Sequence, residues 1–166
     1  MDKIRKASGG DARAISILQL QSSQSAYKGI LPVREITPSI IADREKIWTA
    51  FVQEDKTDLF VHEGPKAING YVHFGPTRDE DRNPGDVAEI FSIYVHPDSW
   101  RNGIGWRMAQ FALNEVRQRH GKAMTLWVLH DNTPAVCFYK KLGFETDGTV
   151  KEHSSHLVEV RMKLDL

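Results

Sequence analysis

Twelve residues, His96-Pro97-Asp98-Ser99-Trp100-Arg101-Asn102-Gly103-Ile104-Gly105-Trp106-Arg107, lie between an apolar run and a long amphipathic one. Glycines at 103 and 105 let the main chain come close to a ligand with no Cβ in the way. A loop that leaves a strand and opens a helix points successive N–H groups at one spot, so the chemistry this spacing allows is anion binding. Arg101 and Arg107 can add charge from the sides. A Walker-type loop fails, because Trp106 follows Gly105 where a lysine and a hydroxyl would be needed for phosphate and magnesium. A dinucleotide fingerprint fits poorly: Met108 stands where its third glycine should be, and no acidic residue follows at a strand end. On this stretch alone, a plain strand-to-helix turn explains the glycines as well as an anion cradle does.

The elements that must position the loop can be read on either side of it. "KIRKA" predicts a strand ending at Gly9-Gly10, and Asp11 then caps a helix to about Gly29, with Ile15, Leu18, Ser22 and Ala26 at helical spacing. "GILP" breaks that helix, and helical character resumes from Val33 to about Gln53, interrupted or restarted at Pro38, with Trp48 and Phe51 packing toward a sheet. Two short strands follow, Leu59 to His62 and Ala67 to Phe74, then the polar loop "RDEDRNPGD" and the strand "VAEIFSIYV". From Gly103 to about His120, Met108, Ala109, Ala112, Leu113 and Val116 form one apolar stripe, the mark of an amphipathic helix. "AMTLWVL" is a further strand. Thr133 offers a capping hydroxyl before Pro134 for a helix that stops at Gly143, and two strands, about Glu145 to Lys151 and His156 to Leu164, close the chain. The order β, α, α, β, β, β, α, β, α, β, β predicts a mixed α/β (α+β) fold and not a regular doubly wound sheet.

With 166 residues and no linker or repeat, the chain reads as one domain, 1–166. Lysine plus arginine and aspartate plus glutamate each number 22, which argues against nucleic acid as a partner. No segment has signal-peptide or membrane-span character, so a cytoplasmic protein with no membrane association is expected. The single cysteine, Cys137, has no internal disulfide partner.

Two separated stretches carry a resemblance. "EIFSIYVHPDSWRNGIGWRM" resembles the central motif of the GNAT N-acetyltransferase superfamily, an apolar strand followed by Arg/Gln-x-x-Gly-x-Gly/Ala at a helix start; Trp100 replaces the Arg/Gln and Arg101 stands one place later. About thirty residues on, "LWVLHDNTPAVCFYKKLGF" is similar to the second motif through Asn132, Ala135, Tyr139, Gly143 and Phe144. The resemblance covers residues 86 to 146 strongly and is weaker over 1 to 55, where the acceptor should be recognised. It implies a mostly antiparallel twisted sheet of about seven strands with about four helices, splayed at the central strand.

It also implies direct transfer of an acetyl group from acetyl-CoA to a primary amine. The pyrophosphate then falls to backbone N–H groups of Arg101, Asn102, Gly103, Ile104, Gly105 and Trp106. The pantetheine arm falls to main-chain groups of Ile93, Tyr94 and Val95. Tyr139 matches the general acid for the departing thiolate, for which a phenol with a pKa of about 10 is suited, and Asn132 can reach cofactor or substrate. An amine with a pKa of about 10 needs a base, and Glu89, a charge inside an apolar strand, is the candidate. Tyr27 and Ile30 correspond to the acceptor-pocket region. Each has an ordinary structural alternative: core aromatic for Tyr139, turn residue for Asn132, strand-end glutamate for Glu89, helix-end contact for Tyr27 and Ile30.

His73 and His130 read as structural or surface histidines, and Cys137 as a packed thiol. His153 and His156 lack a third ligand, so no metal is expected. A small-molecule amine is the expected acceptor; a peptide or protein acceptor and a CoA-binding sensor without turnover are the alternatives. Homodimerisation through the late strands is implied by the resemblance.

Overall fold

The computed structural model describes residues 3–32, 35–54, 57–154 and 156–166. In chain order they form β1 (Lys3–Lys6), α1 (Ala12–Ala26), α2 (Pro38–Glu54), β2 (Asp58–Glu63), β3 (Ile68–Pro76), β4 (Val87–Val95), α3 (Ile104–Gln118), β5 (Ala123–Leu129), α4 (Thr133–Lys141), β6 (Glu145–Ser154) and β7 (Leu157–Asp165). The strands make a seven-stranded sheet in the order β1-β2-β3-β4-β5-β7-β6. β4 and β5 run parallel, and β1-β2, β2-β3, β5-β7 and β6-β7 antiparallel. The element order read from the sequence is the one observed. Two compact units are distinguished, Met1–Phe74 with Ser92–Ala112 and Gly75–Phe91 with Leu113–Leu166.

In the first unit, strand alternation sorts the side chains of β2 and β3 onto two faces. Phe60, paired with Val72, and His62, paired with Gly70, turn toward α3, where Phe60 meets Phe111 with ring centroids 4.7 Å apart. Gly70 is what lets α3 lie so close: a Cβ there would stand 2.9 Å from the Met108 sulfur and 3.2 Å from Ile104. Leu59, Val61, Tyr71 and His73 turn the other way, and Trp48 of α2 packs edge-on against Tyr71 and His73 at 5.1 and 5.4 Å. Phe51 joins them, 4.8 Å from His73, so the aromatic residues of α2 pack on the sheet as their spacing predicts.

Of the two early helix starts, the first differs from expectation. The Asp11 side chain does not cap α1; it accepts two bonds from Arg5, at 2.8 and 3.0 Å, and one from the Ser8 N–H at 2.7 Å. Arg5 thereby holds the Asp11 carboxyl down at about 2. α2 starts at Pro38, the position where the sequence read an interruption or restart, while Val33 lies outside the described residues; the Thr37 hydroxyl accepts the Ile40 N–H at 3.3 Å, and proline fits a first turn because its missing N–H has no use there.

In the second unit, Val87 to Ile90 pair with Ala123 to Leu126, while β4 itself runs on to Val95 and β5 to Leu129. Ile90, Leu126 and Met162 form one apolar row across β4, β5 and β7, buried with Leu113 and Val116 of α3, Tyr139 of α4, and Leu142 and Phe144 beyond it. The opposite face is polar, with Glu89 beside Thr125 and Trp127 beside Arg161. Arg161, only 2% exposed, gathers Asp81 through two bonds of 2.7 Å, Asp147 at 2.7 Å, Asp79 at 3.3 Å and the Thr149 hydroxyl at 2.9 Å. Trp127 donates to Asp79 at 3.1 Å, and Lys151 lies 3.6 Å over the Trp127 ring. The stretch read from sequence only as a polar loop is thus bound down onto the sheet by its aspartates.

Two further expectations around α4 are corrected. Asn132, not Thr133, is the cap: its side-chain oxygen accepts the Ala135 N–H at 3.3 Å, while Thr133 is the first helical residue. Cys137 is exposed and not packed, because the apolar side of this short helix is taken by Tyr139 and Leu142.

Candidate functional site

Residues 96–107 are held at both ends. The His96 N–H donates to the Asn69 carbonyl at 2.9 Å, and a 3-10 turn over Pro97–Ser99 follows. The Trp100 indole N–H then reaches back to the Val95 carbonyl at 2.6 Å, and the Ser22 hydroxyl donates to the same oxygen at 3.0 Å. Trp100 therefore ties the loop to the end of β4. Arg101 (φ 62°) and Gly103 (φ 73°) both adopt the left-handed conformation, turning the chain into α3. At Gly103 a Cβ would meet nothing within 4 Å, so the space over the main chain is open. Ile104 points into the core, while Arg101, Asn102, Gly103, Trp106 and Arg107 are exposed. The N–H groups of Ile104, Gly105 and Trp106 belong to a first helical turn, whose donors have no intrahelical acceptor, and they sit at the positive end of the helix dipole. An anion is what such an arrangement attracts.

Ile93, Tyr94 and Val95 are the last residues of β4. Of the main-chain groups expected to meet the pantetheine arm, the Val95 carbonyl is already doubly bonded from within the protein. The Tyr94 hydroxyl lies 3.0 Å from that of Tyr27, which ends α1, and Ile30 follows in a turn whose N–H bonds the Tyr27 carbonyl. Tyr27 and Tyr94, read separately from the sequence, are thus brought together. Beside them Tyr71 is fully buried; its hydroxyl, near Ser92, makes no hydrogen bond of ordinary geometry, and burial pushes its pKa well up.

In the second unit, Tyr139 is buried with its ring edge-on to Phe138 and Phe144 at 5.2 and 5.9 Å. Asn132 is buried at the head of α4 with its side-chain oxygen committed to the cap. Glu89 is 1% exposed and is gripped by Arg78, which donates from its N–H at 3.0 Å, from Nε at 3.3 Å and from Nη2 at 2.5 Å, and whose guanidinium also lies 4.3 Å over the Phe91 ring. Sequence reasoning missed Arg78; a basic residue opening an acidic loop, after a strand and before one carrying an inward glutamate, was the available signal.

The remaining candidates fall where their types suggest. His73 is buried with Thr57 2.8 Å away, His130 is exposed beside Asp131 at 3.0 Å, and His153 pairs with Glu159 at 2.8 Å. Among the described residues, no group of three or more potential metal ligands occurs, and no helix is long and apolar enough to cross a membrane.

The pattern of the Acetyltransferase (GNAT) family matches residues 20–144, which include the loop, α3, α4 and Tyr139. The chain belongs to the GNAT family. The uncharacterized N-acetyltransferase MJ1207 of Methanocaldococcus jannaschii is 41% identical to this GNAT chain over 100 residues, 60% of the chain and 44% of that relative. The chain spans under half the length of such curated relatives. An N-acetyltransferase from Staphylococcus aureus Mu50 has the same fold, with a TM-score of 0.77 at 20% identity over 99% of this chain and 98% of that one. So does yncA of Salmonella typhimurium, solved with its cofactor acetyl-CoA, with a TM-score of 0.74 at 21% identity over 100% and 94% of the two chains.

Proposed function

We propose that this GNAT protein transfers the acetyl group of acetyl-CoA directly to a primary amine of a small molecule. The observation that carries the reading is the open, glycine-turned entry to α3. Gly103 has a backbone conformation that favours glycine and free space where a Cβ would project, beside a first-turn set of N–H donors. Those features fit a pyrophosphate, with Arg101, Asn102, Gly103, Ile104, Gly105 and Trp106 as its main-chain partners. When bound, acetyl-CoA supplies the acetyl group as an activated thioester. Ile93, Tyr94 and the N–H of Val95 are assigned to its amide-rich arm, Tyr27 and Ile30 to the acceptor side, and the Asn132 amide to cofactor or substrate. The Tyr139 hydroxyl gives the departing sulfur its proton, and Glu89 draws the proton from the acceptor nitrogen. The balance of 22 cationic and 22 anionic residues favours a small amine over a strongly charged polymer.

The test is release of free thiol from acetyl-CoA across amines, polyamines, amino acids, aminoglycosides and peptides. Turnover with a small amine is expected; turnover with peptides alone would move the acceptor to the protein class, and binding without thiol release from any of them would make the protein a sensor. In the same assay Gly103→Val is expected to weaken acetyl-CoA binding by at least about tenfold, since it adds left-handed strain and fills the open space. An unchanged dissociation constant would remove the cradle. Glu89→Gln is expected to lower kcat by about 10²-fold near neutral pH, with a smaller deficit as rising pH deprotonates the amine without help. A pH-independent deficit would assign Glu89 to holding Arg78 instead.

A further inference from the structure

His62 lies on β2 with 1% of its surface exposed, and both ring nitrogens are engaged. Nδ1 is 2.6 Å from the side-chain oxygen of Asn69, and Nε2 is 3.1 Å from Nη2 of Arg107. A carboxamide oxygen only accepts and a guanidinium only donates, so this network puts the proton on Nδ1 and the lone pair on Nε2. The ring is a neutral acceptor aimed at Arg107.

The sheet is modified locally to make that possible. Across β2 and β3, His62 pairs with Gly70 but Glu63 pairs with Ile68, so Asn69 is an extra, bulged residue. In an unbroken strand, Asn69 would face away from the side that Gly70 and His62 share. A bulge re-aims a side chain, and here it is the one that fixes the imidazole. The main-chain carbonyl of the same Asn69 accepts the N–H of His96, the first residue of the loop. One bulged residue therefore anchors the entry to the loop through its backbone and, through His62, the cation in the first turn of α3.

We propose that His62 is a positioning residue for cofactor binding. Held in one tautomer by Asn69, it sets the direction of the Arg107 guanidinium beside the N-terminal turn of α3, so that Arg107 is ordered to meet a phosphate of coenzyme A before the cofactor arrives. A neutral imidazole suits this task because it accepts a hydrogen bond from the guanidinium without opposing its charge, whereas a carboxylate at the same place would compete with a phosphate. The inference rests on the loop being a coenzyme A cradle.

The experiment is calorimetric titration of the full chain with acetyl-CoA and with acetyl-pantetheine, which has the same arm and thioester but no phosphate. Wild-type protein that binds neither would defeat the cradle reading itself. With a binding wild type, His62→Ala and Arg107→Ala are each expected to weaken acetyl-CoA by roughly tenfold and to leave acetyl-pantetheine unchanged. The double variant is expected to be no weaker than Arg107→Ala alone, because His62 acts through Arg107. His62→Gln, which keeps a neutral acceptor the same number of bonds from the backbone, is expected to recover most of the affinity, and in turnover the His62→Ala deficit is expected in KM for acetyl-CoA with kcat retained. Equal acetyl-CoA affinity in Arg107→Ala and wild type, additive losses in the double variant, or parallel losses for both ligands would overturn the proposal. Arg107 is exposed, so its variant tests the phosphate contact even where His62→Ala harms folding, and His62→Gln then tests the part played by His62: a folded His62→Gln protein as weak for acetyl-pantetheine as for acetyl-CoA would also overturn the proposal.

Discussion

Tyr139→Phe lowers kcat by about 10²-fold or more while leaving the dissociation constant for acetyl-CoA within about twofold of wild type: that is the expected result for a phenol that acts only as the thiolate departs. The substitution is clean because it deletes one oxygen and keeps the ring. The ring's edge contacts with Phe138 and Phe144 survive, so the fold should lose no more than the roughly 1 kcal/mol of an ordinary hydrogen bond. A kcat equal to wild type would remove Tyr139 from the reaction; a loss of affinity as large as the loss of rate would make it a binding group.

The second large effect concerns stability. Arg161→Met should cost about 3 kcal/mol at neutral pH, because it removes the buried cation shared by Asp79, Asp81 and Asp147 and, among the described residues, leaves Asp79 with Lys151 alone and Asp147 with Arg82 alone. For a chain of this size that corresponds to a fall in Tm of roughly 10 °C. The pH dependence supplies a signature. Arg161 holds Asp81 down at about 2, and at Asp147 burial, which raises the pKa, is outweighed by the bonds from Thr149 and Arg161, so that carboxyl is lowered too. Carboxyls depressed on folding stabilise the protein above their unfolded pKa of about 4 and lose that contribution as pH falls toward about 2. Wild type should therefore melt progressively lower across that window, and the gap between it and the Arg161→Met variant should narrow. A variant that melts with wild type at pH 7 would show the cluster to be surface decoration.

Much of the fold was legible because apolar periodicity reports burial directly: the stripe of α3 and the runs of β4 and β5 gave their elements nearly to the residue. Both glycines of the loop were visible, as was the second motif, which holds Tyr139. What stayed hidden depends on partners distant in sequence. Nothing local says that Arg161 will collect aspartates from residues 79 and 81, and even the short reach from Asp11 to Arg5, six residues away, depends on a turn that the helical pattern does not report. His62 was passed over because a single histidine ending an apolar strand has no pattern; only the bulge at Asn69 gives it a direction. Trp100 shows the opposite case, a visible departure whose meaning is geometric: its indole closes the loop onto Val95, a link that the side chain usual at this position would have to make by other means.

Arg101 sits in a left-handed conformation that glycine would occupy without strain, in a loop that already uses glycine two residues later. A bulky residue there costs about 1 kcal/mol of fold stability, and nothing in its packing returns it, since the side chain is exposed. Selection for a sturdier protein would replace it. Arg101→Gly is therefore expected to raise the melting temperature, and if the loop is the proposed cofactor cradle a library selected only for heat resistance should drift from arginine to glycine here and weaken acetyl-CoA binding as it does so.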